Sequence, residues 1–197
     1  MAILKRLISK KLKLRLLKVL PLIGIYIKNI CEDRVILEKI IFPHFINKHD
    51  CQKVIFIGVG WYTMEYNKLF NKKEFWTIDI EPKFKIYGSK RHIIDSMENM
   101  DSYFKKNSID LIICNGVFSY AVKDSKILER TLKVCYDLIR KGGVFLIGWN
   151  DLPEYKSISF ETCENIKLFK PFVFEPFGAQ RKLANPNNCH TYSFYTK

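Results

Sequence analysis

The sequence predicts an α/β domain whose mostly parallel sheet is covered by helices on both faces. Three observations lead there. Five short apolar runs recur between residues 53 and 149, each stopping at glycine, proline, asparagine or an acid. Segments with helical periodicity separate them. Two further runs near the C-terminus have no clear helix between them. Runs that are apolar throughout mark strands buried on both faces, and strand–helix alternation marks parallel pairing.

The elements follow in order. Residues 3–20 place Ile3, Leu4, Leu7, Ile8, Leu12, Leu16, Val19 and Leu20 on one helical face, with Lys5, Arg6, Lys10, Lys11, Lys13 and Lys18 mostly elsewhere. Glu32–Ile46 reads as a second helix, ended near Pro43. Val54-Ile55-Phe56-Ile57 is the first strand and stops at Gly58. Trp76–Ile80 is the second, stopped by Pro82, and His92-Ile93-Ile94 the third, ending at Asp95. Met97–Phe104 suits a short helix. Leu111–Cys114 is the fourth strand, ending at Asn115-Gly116. A stripe of Ile127, Thr131, Val134, Cys135, Leu138 and Ile139 predicts a helix stopped by Lys141-Gly142-Gly143, and Val144–Trp149 is the fifth strand. Phe172–Phe174 and Tyr192–Tyr195 read as an antiparallel pair closing the sheet edge. The division is therefore a basic, amphipathic, helical extension over residues 1–50 and one domain over residues 51–197.

Composition sets the outer limits. A chain of 197 residues that is 48% hydrophobic holds one ordinary core and is not a disordered polymer. The net charge of +13 is uneven: residues 1–50 hold 11 Lys/Arg against 4 Asp/Glu. Such an excess suits anionic partners, namely nucleic acid, acidic lipid or an anionic metabolite, and equally a merely basic soluble surface. None of the six cysteines forms a CxxC pair or completes a zinc pattern, so reduced thiols, no metal and a cytoplasmic location are expected. The apolar run Val19–Ile27 is too short to span a bilayer and leads into no secretory cleavage site. Residues 1–28 can instead lie on an anionic membrane surface, the other reading being a helix packed on the core or on a second subunit.

The polar residues gather where function belongs in such a sheet, beyond the carboxyl ends of the strands. Those ends carry Gly58-Val59-Gly60, then Asp79 and Glu81, then Asp95, then Asn115, then Asn150-Asp151. Glycines after the first strand let backbone N–H groups approach a ligand closely. An acid about twenty positions further on can accept hydrogen bonds from ribose hydroxyls, and Asp79 stands 21 residues after Gly58.

The series Val54–Gly60, Asp79, Asp95, Asp110–Phe118 and Lys141–Trp149 resembles the successive motifs of class I S-adenosylmethionine-dependent methyltransferases. The resemblance covers roughly residues 50–197. It implies a Rossmann-like three-layer α/β/α sandwich, whose seven-stranded, mostly parallel sheet has an antiparallel last strand. It also implies S-adenosylmethionine as cofactor and a transferase activity. By this likeness Gly58, Val59 and Gly60 border the methionine part of the cofactor, and Asp79 with Ile80 holds the ribose. Asp95 and Ser96 lie near the adenine, and Asn115, Gly116, Val117 and Phe118 line the methyl-transfer side. Two positions depart from the family pattern: Phe56 replaces an acid two residues before the first glycine, and Tyr62 replaces a third glycine. Trp61-Tyr62 is then expected either to cover the cofactor or substrate pocket, or simply to pack in the core.

Methyl transfer needs the acceptor aligned with the activated methyl, and a base when the acceptor is a hydroxyl. His190, Asp151, Tyr120 and Glu175 are the candidates, none within a diagnostic motif, while His92 reads as structural. The expected substrate is a small molecule or a glycan/lipid-linked intermediate. Asn115-Gly116-Val117-Phe118 lacks the prolines and tyrosine of the Asn/Asp-Pro-Pro-Tyr motif, which lowers the case for DNA adenine or glutamine methylation. A nicotinamide-dependent oxidoreductase would want a third glycine where Thr63 stands. An RNA-binding or RNA-modifying protein fits the charge but shows no interleaved aromatic and basic motif. A non-catalytic binding module with the same fold completes the alternatives.

Overall fold

The computed structural model describes residues 31–120, 122, 124–152 and 159–197. The predicted basic helix over residues 3–20 lies outside the described residues. Among the described residues no helix is long and apolar enough to cross a membrane.

The first described helix is α1 (Glu32–Ile36). It continues through one π-turn over Leu37–Ile41 into α2 (Phe42–Asn47). Proline does not end this helix near residue 43 as its chemistry suggests. Pro43 falls in the first turn of α2, directly after the π-turn, whose wider ring accommodates a residue lacking an N–H. Then follow β1 (Lys53–Ile57), α3 (Tyr66–Leu69), β2 (Glu74–Asp79), β3 (Arg91–Ile94), β4 (Ile109–Asn115), α4 (Val117–Tyr120), α5 (Ser125–Leu138) and β5 (Ile139–Asn150). Residues Met97–Ser102 form a 3-10 turn where a short helix is expected. The last strands are β6 (Lys170–Pro171), β7 (Arg181–Asn185) and β8 (His190–Thr196).

The sheet runs β3-β2-β1-β4-β5-β8, with β6 and β7 both on the outer side of β8. Strands β1 to β5 pair in parallel, and β8 is antiparallel to β5. The order reverses between β1 and β4, so a cleft opens beyond their carboxyl ends. The C-terminal pairing differs from expectation. Phe172–Phe174 contributes one ladder bond, Phe172 N–H to the Phe194 carbonyl (3.1 Å), and the main partner of β8 on its outer side is Arg181–Asn185. Leu183 is the sole large apolar residue of β7 and is 52% exposed, so that strand carries little hydrophobic signal.

Alternation along the central strands builds two cores. Ile55, Ile57, Ile112, Cys114, Phe145 and Ile147 face α5 and the Phe160–Phe169 segment. Val54, Phe56, Leu111, Ile113, Val144 and Leu146 face α1, α2 and α3. The result is a Rossmann-like three-layer α/β/α sandwich, mostly parallel, with its antiparallel strands at one edge. Phe56, in place of the family acid, is fully buried against Phe42 and Tyr66, which makes that position a packing site here. The pair Gly142-Gly143 does not cap α5. The helix ends at Leu138, Ile139 is already extended, and the glycines sit in an irregular stretch of β5 with Gly142 at φ +76°.

Asp110 pins the lower end of the sheet. Its Oδ2 accepts the Gln52 and Lys53 N–H groups at 2.8 and 2.7 Å, while Oδ1 pairs with the Arg140 guanidinium. Removing it strands two backbone donors at the entrance to β1. Asp110→Ala is expected to cost about 1–3 kcal/mol, read as a lowered urea midpoint with an unchanged slope.

Candidate functional site

Gly58 leaves β1 with φ +80°, in the left-handed region that disfavours any side chain. A Cβ there would also lie 2.6 Å from Val117 Cγ2. The chain then turns so that the Val59 N–H donates to Asp79 Oδ2 at 2.8 Å, while Asp79 Oδ1 accepts the Glu81 N–H at 2.9 Å. One half-buried carboxylate thus joins the exits of β1 and β2.

Two adjoining cavities open around this junction and share Gly58, Asp79 and Val117. The smaller, of about 210 Å³, has an apolar floor of Ile57, Ile78, Met97, Val122 and Ile127, with Ile80, Asp95 and Ser96 at its sides. Asp95 accepts from Asn99 Nδ2, the Tyr103 hydroxyl and the Ser96 N–H at 2.9, 2.8 and 2.7 Å. Those donors, the Asn99 amide first, hold its carboxyl below the usual carboxylate range.

The larger cavity, of about 450 Å³, is the more polar of the two. Asn115, Gly116 and Val117 supply one wall and Asn150, Asn188 and His190 another, with Val59 and Tyr62 near the glycine turn. His190 opens β8 and is 4% exposed. Its Nδ1 lies 2.8 Å from Asn150 Oδ1 and its Nε2 lies 3.0 Å from Asn115 Oδ1. Burial pushes its pKa down to about 4; Arg34 acts in the same direction and Asp33 opposes. The ring is therefore neutral at pH 7, with one donor and one acceptor nitrogen, so one of the two asparagines must turn its NH2 toward it. This chain of three side chains spans β4, β8 and β5. It requires Gly148 on β5, where a Cβ would fall 1.9 Å from Asn115 Oδ1.

The structure brings together most of the residues singled out in the sequence. Gly58, Val59, Tyr62, Asp79, Ile80, Asp95, Ser96, Asn115, Gly116, Val117 and His190 all line one or other cavity. Gly60 and Trp61, expected at the cofactor, line neither cavity: Thr63 N–H donates to the Gly60 carbonyl (2.9 Å), and Trp61 packs edge-on to Tyr62. Asp151 is exposed, lines neither cavity, and pairs through its N–H with the Cys189 carbonyl (3.0 Å). Glu175 begins a 3-10 turn away from both cavities. Tyr120 ends α4, and its side chain lies outside the described residues. His92 bonds Thr77 Oγ1 (2.8 Å) between β3 and β2 and lines neither cavity.

Sequence reasoning missed Asp33 and Arg34, which line the larger cavity from α1 with 9% and 7% exposure. Arg34 stacks on Tyr62, its Cζ 3.8 Å from the ring centroid, and donates to the Tyr66 hydroxyl at 2.6 Å. Charged residues in an amphipathic helix read as a solvated face. The available signal was their neighbour Leu37, which starts the buried stripe within one turn.

Residues 56–147 match the family model described as a methyltransferase domain. No curated protein matches the chain. Among solved structures, it is similar to a TehB-like SAM-dependent methyltransferase from Corynebacterium glutamicum, with 13% identity over 95% of this chain and 97% of that one and a TM-score of 0.55. It is also similar to the N-methyltransferase NodS from Bradyrhizobium japonicum in complex with S-adenosyl-L-homocysteine, with 11% identity over 74% and 78% and a TM-score of 0.53. It spans half the length of a SAM-dependent methyltransferase from Archaeoglobus fulgidus, matching 58% of this chain at 18% identity and a TM-score of 0.48. The first two likenesses show a shared fold.

A pH dependence follows from His190. Its folded-state pKa lies below the ordinary 6.5, so the unfolded chain binds the proton first as pH falls. Stability is then lost between pH 6.5 and 4, by up to about 3 kcal/mol from this residue. Urea midpoints measured across that window should fall steeply for the native chain and less steeply for His190→Gln.

Proposed function

We propose that this chain, whose residues 56–147 match the model of a methyltransferase domain, is a class I S-adenosylmethionine-dependent methyltransferase that methylates a small molecule or a glycan/lipid-linked intermediate. The observation that carries the reading is the Gly58 turn bonded to Asp79 at the mouth shared by both cavities.

The residues present fit an adenosyl ligand. Gly58 keeps the turn free of a side chain, so the backbone is open to close approach. Asp79 accepts one N–H on each oxygen and keeps lone pairs for two ribose hydroxyls. The apolar floor of the smaller cavity suits the faces of a purine, and Asp95 and Ser96 offer polar atoms at its edge. When bound, S-adenosylmethionine supplies a methyl group already activated by its sulfonium. The remaining work is alignment of the acceptor.

We assign that work to the larger cavity, whose volume lies in the range of small-molecule sites. His190 has both ring nitrogens engaged by asparagines and a strongly lowered basicity. Its role in this reading is to position the Asn115 and Asn150 amides at the cavity wall, and the amides orient the acceptor. Asp151 and Tyr120 are given no part in this proposal.

Titration calorimetry with S-adenosylhomocysteine tests the reading. The native chain should bind it, and Asp79→Ala should weaken binding about 100-fold through loss of two charge-assisted hydrogen bonds. No binding by the native chain, or an indifferent Asp79→Ala, contradicts it.

The charge of +13 supports a second reading, in which the acceptor is RNA, and residues 1–28 support a membrane-surface location for the first. One pair of assays separates them. Sedimentation of the full chain with anionic vesicles, lost on deletion of residues 1–28, favours the lipid-linked acceptor. Tight, salt-sensitive RNA binding that survives the deletion favours RNA.

A further inference from the structure

Arg34 and Asp33 are adjacent in α1, oppositely charged and more than nine-tenths buried. Both face the same cavity, yet they form no ion pair with each other or with any other described residue. Among the described residues the Arg34 guanidinium has one hydrogen-bond partner, the neutral Tyr66 hydroxyl, which relays it to Glu38 Oε1 (3.1 Å); Tyr62 covers its face. Among the described residues the Asp33 carboxylate has one long hydrogen bond, from Asn185 Nδ2 at 3.5 Å. The Tyr192 hydroxyl, donating to the Asp33 carbonyl at 2.9 Å, ties the Asp33 backbone to β8.

Burying a guanidinium and a carboxylate without a shared partner is unfavourable, because each loses water and neither gains the other. The arrangement becomes favourable when a ligand brings both complements at once. A carboxylate matches the fork of an arginine, and an ammonium matches an aspartate. We propose that Asp33 and Arg34 form a receptor for a zwitterionic amino-carboxylate group in the larger cavity. Arg34 takes the carboxylate on its uncommitted N–H groups while Tyr62 fixes the plane of its fork. Asp33 takes the ammonium.

Two ligands could present that group: the amino-acid end of the cofactor, or a methyl acceptor of amino-acid type. The first source rests on the methyltransferase reading, whereas the receptor itself does not.

Calorimetry on the native chain, Arg34→Gln, Arg34→Lys and Asp33→Asn separates the cases. The probes are S-adenosylhomocysteine, 5′-methylthioadenosine, which lacks the amino-carboxylate, and free glycine and methionine. If the receptor reads the cofactor, Arg34→Gln weakens S-adenosylhomocysteine at least about thirtyfold and leaves methylthioadenosine unchanged. Asp33→Asn does the same to a smaller degree. If it reads the acceptor, S-adenosylhomocysteine binds all variants alike. Glycine or methionine then binds the S-adenosylhomocysteine-saturated native chain and is lost in Arg34→Gln. Should the native chain bind neither nucleoside, the methyltransferase reading fails, and the amino acids titrated into the ligand-free protein still decide the receptor. Should Arg34→Gln not fold, the native preference for S-adenosylhomocysteine over methylthioadenosine and its partial loss in Arg34→Lys carry the test. The proposal is overturned if neither S-adenosylhomocysteine nor the amino acids respond to Arg34, or if the native chain shows no preference and binds no amino acid.

Discussion

The bond from the Val59 N–H to Asp79 Oδ2 is the contact on which the rest of the site depends. Two parallel strands end side by side, and each leaves the sheet with unpaired backbone groups. The Asp79 carboxylate satisfies a donor from the first exit and another from its own loop, so both loops hold one conformation. Gly58 makes the geometry possible because only a residue without a side chain turns at φ +80° against Val117. A charge placed there stays near water and avoids the cost of full burial. It therefore remains free to meet a polar ligand.

The other half of the cleft is built on the opposite principle. Beyond β4, β5 and β8 the groups are neutral amides around a neutral imidazole, and burial keeps that imidazole unprotonated. Gly148 leaves room for Asn115 to reach across β5 to His190. Helix α1 lines the same cavity with an acid and a base, Asp33 and Arg34, anchored through Tyr66 and Tyr192, both almost wholly buried. Neutral amides orient without strong attraction, whereas buried charges select by charge. The cavity thus holds both kinds of group within one volume of about 450 Å³.

How much of this was legible in the sequence depended on whether a residue's environment is local. The five parallel strands stood out because burial on both faces leaves an unbroken apolar run, as in Val54–Ile57 and Val144–Trp149. Gly58 and Asp79 were legible because strand ends are marked by glycines and acids at a fixed spacing. The edge strand β7 was not, since Arg181–Asn185 has one face to solvent and reads as a polar loop. Pro43 misled because a π-turn, invisible to a period of 3.6, absorbs it. Gly142-Gly143 misled because glycine serves an irregular strand as readily as a helix cap. Asp33 and Arg34 were hidden for a further reason: their burial comes from β8 and from Tyr62 and Tyr66, far along the chain from α1 in the case of β8.

We propose that the two cavities are one ligand site organised around Gly58 and Asp79. A crystal structure of the chain grown with S-adenosylhomocysteine tests it most directly. The claim predicts difference density with the purine in the apolar cavity, the ribose hydroxyls on the Asp79 carboxylate and the sulfur end passing Gly58 into the polar cavity. Density anywhere else on the molecule, or ligand-free cavities in crystals grown at saturating S-adenosylhomocysteine, would contradict it.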